Sequence, residues 1–320
     1  MFSILVTAIG SFSADIVIKT LKEAGHKVIG CDIYPKEWIV NAYNVNSFYQ
    51  VPYTHDKEGY INSIKNICKE HDVQYIFPLT DPEVDILSGI KKELQRQGVF
   101  ACISDDQTIK LCRNKYLLPK FLLEQGIKQL IPTKLLFEVD NNHVQLPVFI
   151  KPVLGRSSQG CRPVYDYKEY ETLKEVLNGN ENIVQPLLNG NIITVDVIRD
   201  SKTDDVVCIG RRELLRNSSG AGTTVEIIEN KELGNLSAEI ARKVDIIGAV
   251  NFEFIQTNSG EVFFLEINPR FSGGVKFSCM AGYDVVSNHL RCFTNQPIDK
   301  KVIKKMIIAR KYNEFVTSLD

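Results

Sequence analysis

The chain has 320 residues, 24% of them charged and 44% in the hydrophobic set, and Lys plus Arg number 38 against 39 Asp plus Glu. The composition excludes a disordered, collagen-like or coiled-coil chain, and the formal net charge of −1 argues against a strongly basic nucleic-acid binder. The length supports two or three domains whose core needs no disulfide or metal staple.

No run of 18 apolar residues occurs, so no membrane span is expected. The first residues lack a basic stretch and read as a strand, not as a signal peptide. The eight cysteines are scattered without a CxxC pair, as expected for reduced thiols of a cytoplasmic protein. The five histidines show no HxxxH spacing, which argues against a zinc site.

In chain order, the patterning predicts a strand at 2–9, a helix at 13–24 stopped by Gly25, and a strand at 27–31 ending at Asp32. Helices at 59–70 and 82–97 follow, with strands at 74–78 and 99–103. This alternation predicts an open α/β domain with a parallel sheet over the first 105 residues. Its first turn, Ala8-Ile9-Gly10-Ser11-Phe12-Ser13, has a single glycine where a dinucleotide fingerprint needs three. That argues against an NAD-dependent dehydrogenase. The turn is either a plain tight turn or one wall of a small-substrate site, because ligands bind at the carboxyl ends of such strands. Asp32 reads equally as a hydroxyl ligand, a helix cap or a solvated acid.

A helix is predicted from Asp105 and Asp106 to about Gln125, kinked or broken near Pro119. From about residue 147 the pattern changes to short strands with hairpin signals: 148–151, 162–165, 183–185, 192–199, 206–213, 225–227, 249–256 and 261–267. Helices are expected near 167–177, 231–247 and 282–293. This part reads as α+β with antiparallel sheets.

The last hairpin carries the strongest chemical signal. A turn centred near residues 259 and 260 places Glu253 opposite Glu266, with Asn268 on the same side two residues on. Two carboxylates held so close repel unless a proton or a cation lies between them. Hard oxygen ligands suit Mg²⁺, which takes one or two carboxylates plus phosphate oxygens. Arg270 follows Pro269 directly, and a guanidinium there suits a transferring phosphoryl group. Lys151 ends an apolar strand. The segment Gly155-Arg156-Ser157-Ser158-Gln159-Gly160 is a small-residue loop that can lay N–H groups and hydroxyls against phosphates. It is not a Walker A sequence, and by itself it is equally an ordinary hairpin. Arg211 and Arg212 lie in an arginine-rich strand. They are either solvated or directed at phosphate or a substrate carboxylate. The glycines of Phe271-Ser272-Gly273-Gly274 admit a close backbone or substrate, and Lys276 reads as a surface residue.

The order Lys115, Lys151, the 155–160 loop, Ile183-Val184-Gln185-Pro186-Leu187, Thr194-Val195-Asp196, Glu253 and Leu265-Glu266-Ile267-Asn268-Pro269-Arg270 resembles the ATP-grasp superfamily. Within it, the sequence is similar to the unit found in the carbamoyl-phosphate synthase large subunit. The resemblance runs from the N-terminal α/β domain to about residue 290. It implies an α/β domain at 1–105, a small lobe with a linking helix at 106–188, and a lobe with the metal site at 189–320. It further implies that Lys115 and Lys151 contact ATP phosphates, that the loop with Gly155, Ser157, Ser158 and Gly160 closes over them, and that Gln185, Leu187 and Leu188 form the adenine hinge. Glu253, Glu266 and Asn268 would be ligands to Mg²⁺, or to Mn²⁺. Arg270 would be the arginine that steadies the γ-phosphate and the acyl phosphate, and Arg212, from the arginine-rich strand, is the second catalytic candidate. One departure stands out. Where the family has G-x-E after the hinge, with its acid on the ribose, this chain has Gly190-Asn191-Ile192, leaving Asn189, Asn191 or Asp196 as substitutes. Pro186 also stands where the family often has an acid. The implied activity is an ADP-forming ligase that joins a small carboxylate to an amine through an acyl phosphate. A non-catalytic nucleotide-binding protein is the alternative that Ile192 raises. A homodimer is expected by the same resemblance. With one such unit and no evident ammonia-producing domain, full carbamoyl-phosphate synthesis is not expected.

Overall fold

The computed structural model describes residues 1–140, 144–156, 158–217 and 220–318. Strands β1 (Ser3–Val6), β2 (Lys27–Asp32), β3 (Ser47–Gln50), β4 (Tyr75–Phe77) and β5 (Phe100–Ala101) form a parallel sheet in the order β3-β2-β1-β4-β5. Helices α1 (Ala14–Glu23), α2 (Lys57–Glu70) and α3 (Asp81–Arg96) cross over it. Because both faces are covered, the central strands β1, β2 and β4 are buried and mostly apolar, whereas the edge strand β3 is only partly buried. Ile4 and Val6 pack with Val17 and Leu21 of α1, whereas Leu5 packs with Ile64 of α2 and Leu87 of α3. The chain winds outward from β1 to β3 and returns to β4 on the other side of β1. Such a reversal opens a crevice at the carboxyl ends of β1 and β4. The start of α3 there is fixed by Glu83, whose Oε2 accepts from both the Thr80 N–H (3.2 Å) and the Thr80 hydroxyl (2.7 Å).

The single helix expected over 105–125 is two helices, α4 (Asp106–Arg113) and α5 (Leu117–Glu124). The break falls at Asn114, not at Pro119. The Asn114 Oδ1 accepts from the N–H groups of Tyr116 (3.0 Å) and Leu117 (2.8 Å), starting a new helix whose first turn tolerates Pro119. Lys115 therefore lies between helices, its N–H donating to the Val153 carbonyl (3.0 Å).

Strands β6 (Lys134–Leu135), β7 (Val148–Pro152), β8 (Arg162–Val164) and β9 (Asn182–Pro186) make a four-stranded antiparallel sheet ordered β6-β9-β7-β8, with α6 (Tyr167–Val176) packed on it through Tyr170 and Leu173. The third sheet holds β10 (Gly190–Arg199), β11 (Val206–Arg216), β12 (Gly222–Ile228), β13 (Gly248–Thr257) and β14 (Val262–Asn268). Its order is β14-β13-β10-β11-β12-β15, all antiparallel, closed at one edge by β15 (Ile307–Ala309). Cys112 and Leu122 from α4 and α5, with Ile240 of α7 (Lys231–Lys243), cover one face of it. The linking helices thus pack on this large sheet. On the other face, α8 (Val275–Met280) and α9 (Val285–Thr294) join the sheet to the N-terminal domain in one core that includes Val6, Ile209 and Leu290. Among the described residues, no helix is long and apolar enough to cross a membrane.

Candidate active site

The opposed carboxylates owe their placement to a bulge. The hairpin turn closes between Thr257 and Glu261, whose N–H and carbonyl pair at 2.9 Å, and the ladder from it would set Glu253 against Leu265. A register shift next to Phe254 inserts Leu265 as an extra residue, so Glu253 faces Glu266 and Asn251 faces Asn268. The same shift turns both Leu265 and Glu266 toward the cleft while Phe264 and Ile267 stay in the core. The Asn268 Nδ2 donates to the Glu266 Oε1 (3.2 Å) and Glu253 Oε1 (3.5 Å). Lys115 Nζ lies 3.5 Å from Glu266 Oε2, and an Arg216 guanidinium nitrogen 3.6 Å from Glu253 Oε2.

Electrostatics follow from this crowding. Burial and the Glu266 charge push the Glu253 carboxyl up to about 7, against the pull of Arg216. Burial also acts to raise Glu266, but Lys115 and Lys151 outweigh it and hold that carboxyl below its usual range. Burial, helped by Lys115, lowers the Lys151 ammonium, and Glu266 opposes the change. Among the described residues no cluster of three or more His, Cys, Asp or Glu side chains is placed to hold a metal. The donor set here is two carboxylates and an amide, the larger share of a hard cation's ligands being left to phosphate and water.

The pair stands where two compartments meet. One is largely apolar: Ile131, Phe149, Leu187, Leu188, Ile192 and Ile255 form its walls. The other is polar and lies at the crevice of the N-terminal sheet, between the turn at Gly10–Ser13, Thr80 and Asp81, and Asn251 with Arg270. Arg156, Ser158, Arg216, Glu253 and Glu266 line both.

Of the residues singled out in the sequence, Lys115, Lys151, Gly155, Ser158, Gln185, Leu187 and Leu188 all line the apolar compartment. Lys115 Nζ also donates to the Gly155 carbonyl (3.0 Å), so the loop rests on the lysine. Gly160 has φ of 74° and sits against the Pro152 ring instead of lining either compartment. Ser157 lies outside the described residues. Arg270 lines the polar compartment, held at 2.9 Å by Asp81, which is 2% exposed.

Two expected residues are elsewhere. Asp196 is buried, bonded to Arg211 (2.5 Å) and to the Ser278 hydroxyl (2.6 Å), four residues along β10 from Ile192, and does not line the cleft. Arg212 faces the other side of β11, paired with Glu226 (2.5 Å), because neighbouring strand residues alternate. Arg211 is also buried, ion-paired with Asp196 and Glu213. The arginine of this strand that reaches the cleft is Arg216. Register shifts between Glu213 and Arg216 bring it to the inner face, a signal absent from simple alternation. Neither Asn189 nor Asn191 lines the cleft; Asn191 is exposed and paired across from Gln256. Asp32 is a structural acid, accepting from the N–H groups of Gly10 (2.8 Å) and Tyr34 (3.2 Å).

Residues 179–315 match a family model described as ATP-grasp in the biosynthetic pathway with Ter operon, and residues 4–102 match the PylC-like N-terminal domain. The fold is similar to that of biotin carboxylase from Campylobacter jejuni, with a TM-score of 0.78 at 17% identity over 94% of this chain and 72% of that one. It is also similar to the biotin carboxylase domain of Hydrogenobacter thermophilus 2-oxoglutarate carboxylase, solved with MgADP, ADP and bicarbonate (TM-score 0.77, 17% identity, 94% and 71% covered). N5-carboxyaminoimidazole ribonucleotide synthetase from Thermotoga maritima gives a TM-score of 0.73 at 19% identity, with 95% and 78% covered.

Proposed function

We propose that this chain, which carries the ATP-grasp fold behind a PylC-like N-terminal domain, is an ATP- and Mg²⁺-dependent ligase that joins a small carboxylate to an amine and releases ADP and phosphate. The observation that carries the reading is the position of Glu253 and Glu266 at the junction of an apolar and a polar compartment, with Lys115 and Lys151 beside them. The base of ATP fits among Phe149, Leu187 and Leu188. Its phosphates then run along Lys151 and Lys115 toward the acid pair. Glu253, Glu266 and the Asn268 amide, turned to present its oxygen, would hold Mg²⁺, which when bound neutralises the charge of a transferring phosphoryl group.

The carboxylate substrate occupies the polar compartment, opposite the γ-phosphate. Arg270, fixed by Asp81, and Arg216 are placed to orient its anionic oxygens. A carboxylate oxygen attacks the γ-phosphorus and ADP departs. The amine nitrogen then attacks the acyl carbon, the C–O bond to phosphate breaks, and the nitrogen gives up its proton. Positioning and charge neutralisation supply the rate, and no side-chain nucleophile is required.

The test is a screen of amino acids and other small carboxylates, each with an amine, for ATP turnover by the whole chain. Carboxylate-dependent release of ADP with phosphate is the expected result. AMP with pyrophosphate, or no turnover with any carboxylate, would count against the reading.

A further inference from the structure

The floor of the apolar compartment is built by paired strands. Thr194 of β10 stands opposite Glu253 of β13, and Ile192 opposite Ile255. Two residues along a strand is roughly 7 Å, so the two isoleucines lie one step from the acid pair, on the side of Leu187 and Leu188. Both isoleucines line the cleft. A nucleotide whose terminal phosphates meet Glu253 and Glu266, and whose base lies among Phe149, Leu187 and Leu188, must lay its sugar across this aliphatic pair. Neither side chain can donate or accept a hydrogen bond. Among the described residues that line the compartment, the carboxylates are Glu253 and Glu266, both at the phosphate end. Asn189 and Asn191 are off the wall, and Asp196 is spent on Arg211.

We infer that the cleft does not read the sugar 2′-hydroxyl with an acidic side chain and therefore accepts 2′-deoxynucleotides nearly as well as ribonucleotides, with Ile192 as the residue that sets this tolerance. The inference rests on the nucleotide reading above and adds a sugar specificity to it. Turnover-free ligands separate the two. Calorimetric titration of the whole chain with ADP and with 2′-deoxy-ADP, both in excess Mg²⁺, reads binding directly. The expected dissociation constants differ by less than about fivefold, since a hydroxyl bonded to a carboxylate would be worth roughly tenfold or more. A preference for ADP of about fivefold or greater overturns the inference while leaving the nucleotide reading intact. Binding of neither nucleotide removes both.

Ile192 is only partly buried and stands near the start of its strand, so it can be changed without opening the core. Ile192→Glu should create a preference for ADP over the deoxy form, and Ile192→Gln a smaller one. A folded Ile192→Glu protein that binds both alike overturns the placement of Ile192 beneath the sugar. If that variant fails to fold, Ile192→Gln and the unmodified chain decide the question.

Discussion

Asp81 links the N-terminal domain to the candidate site through one side chain. Burial opposes its ionisation, but Arg270 and Arg113 outweigh burial and hold its carboxyl below the usual range. Its Oδ2 takes Arg270 at 2.9 Å. Asp81→Asn keeps the shape and removes the charge, leaving Arg270 free to swing away. Once a carboxylate substrate is in hand, its turnover should fall roughly 10- to 100-fold, as expected for a misplaced orienting group, with MgADP affinity unchanged. Equal losses in both would assign Asp81 a general structural role instead. The two lysines and the hairpin acids were legible in the sequence because each belongs to a local motif. Asp81 was not, since its partner is 189 positions away and no local pattern marks the contact. His289 makes a different kind of buried contact. Its Nδ1 accepts from the Ala249 N–H (2.8 Å), and burial lowers the ring from 6.5 to about 3, against a small opposing backbone contribution. Because the folded value lies below the unfolded one, this contribution to stability is complete above pH 6.5 and drains away as pH falls toward 3. Between pH 7.5 and 5 the loss is about 2 kcal/mol. Urea unfolding of the parent and of His289→Gln at both pH values should show that the variant lacks this part of the acid sensitivity. Identical pH dependence would refute it.

At the scale of elements, alternating and helical periods located most strands and helices, while irregularities decided the chemistry. The bulge at Leu265 and the register shifts before Arg216 each change which side chain faces the cleft, and neither has a period to betray it. The pairing of Glu253 with Glu266 was expected from a turn centre that the structure does not have; the bulge restores it. Strand β15 and helix α8 carry no readable period because they are only three and six residues long. Two glycines test how tightly the elements fit. A Cβ on Gly190 would sit 2.1 Å from the Gln256 carbonyl oxygen, where β10 meets β13, and that backbone cannot yield. Gly190→Ala should cost about 1–3 kcal/mol in denaturant unfolding. A Cβ on Gly89, exposed in the middle of α3, would meet nothing within 4 Å. Gly89→Ala should stabilise by about 0.5–1 kcal/mol in the same measurement. The reverse order of the two variants would contradict the strand contacts described here.

For the whole molecule, three sheets meet at one place. The parallel sheet contributes the crevice between β1 and β4, the small sheet the apolar roof, and the large sheet the acidic floor. The parallel and large sheets share a continuous core through Phe77, Phe271 and His289, whose rings are in contact. The crevice walls are thereby held in a fixed relation to Arg270. The class of fold was readable from the order of strands and helices, because a parallel domain followed by antiparallel hairpins leaves few arrangements. The joining of the compartments was not, since it depends on how the three sheets pack.

Binding of a nucleotide to the acid pair through a divalent cation is measured directly by the MgADP affinity of the whole chain and of Glu266→Gln. The parent should bind ADP only weakly without Mg²⁺ and firmly with it, and the variant should lose roughly tenfold or more of that affinity with its melting temperature undiminished. Equal MgADP affinity in the two proteins, or binding indifferent to Mg²⁺, would contradict it.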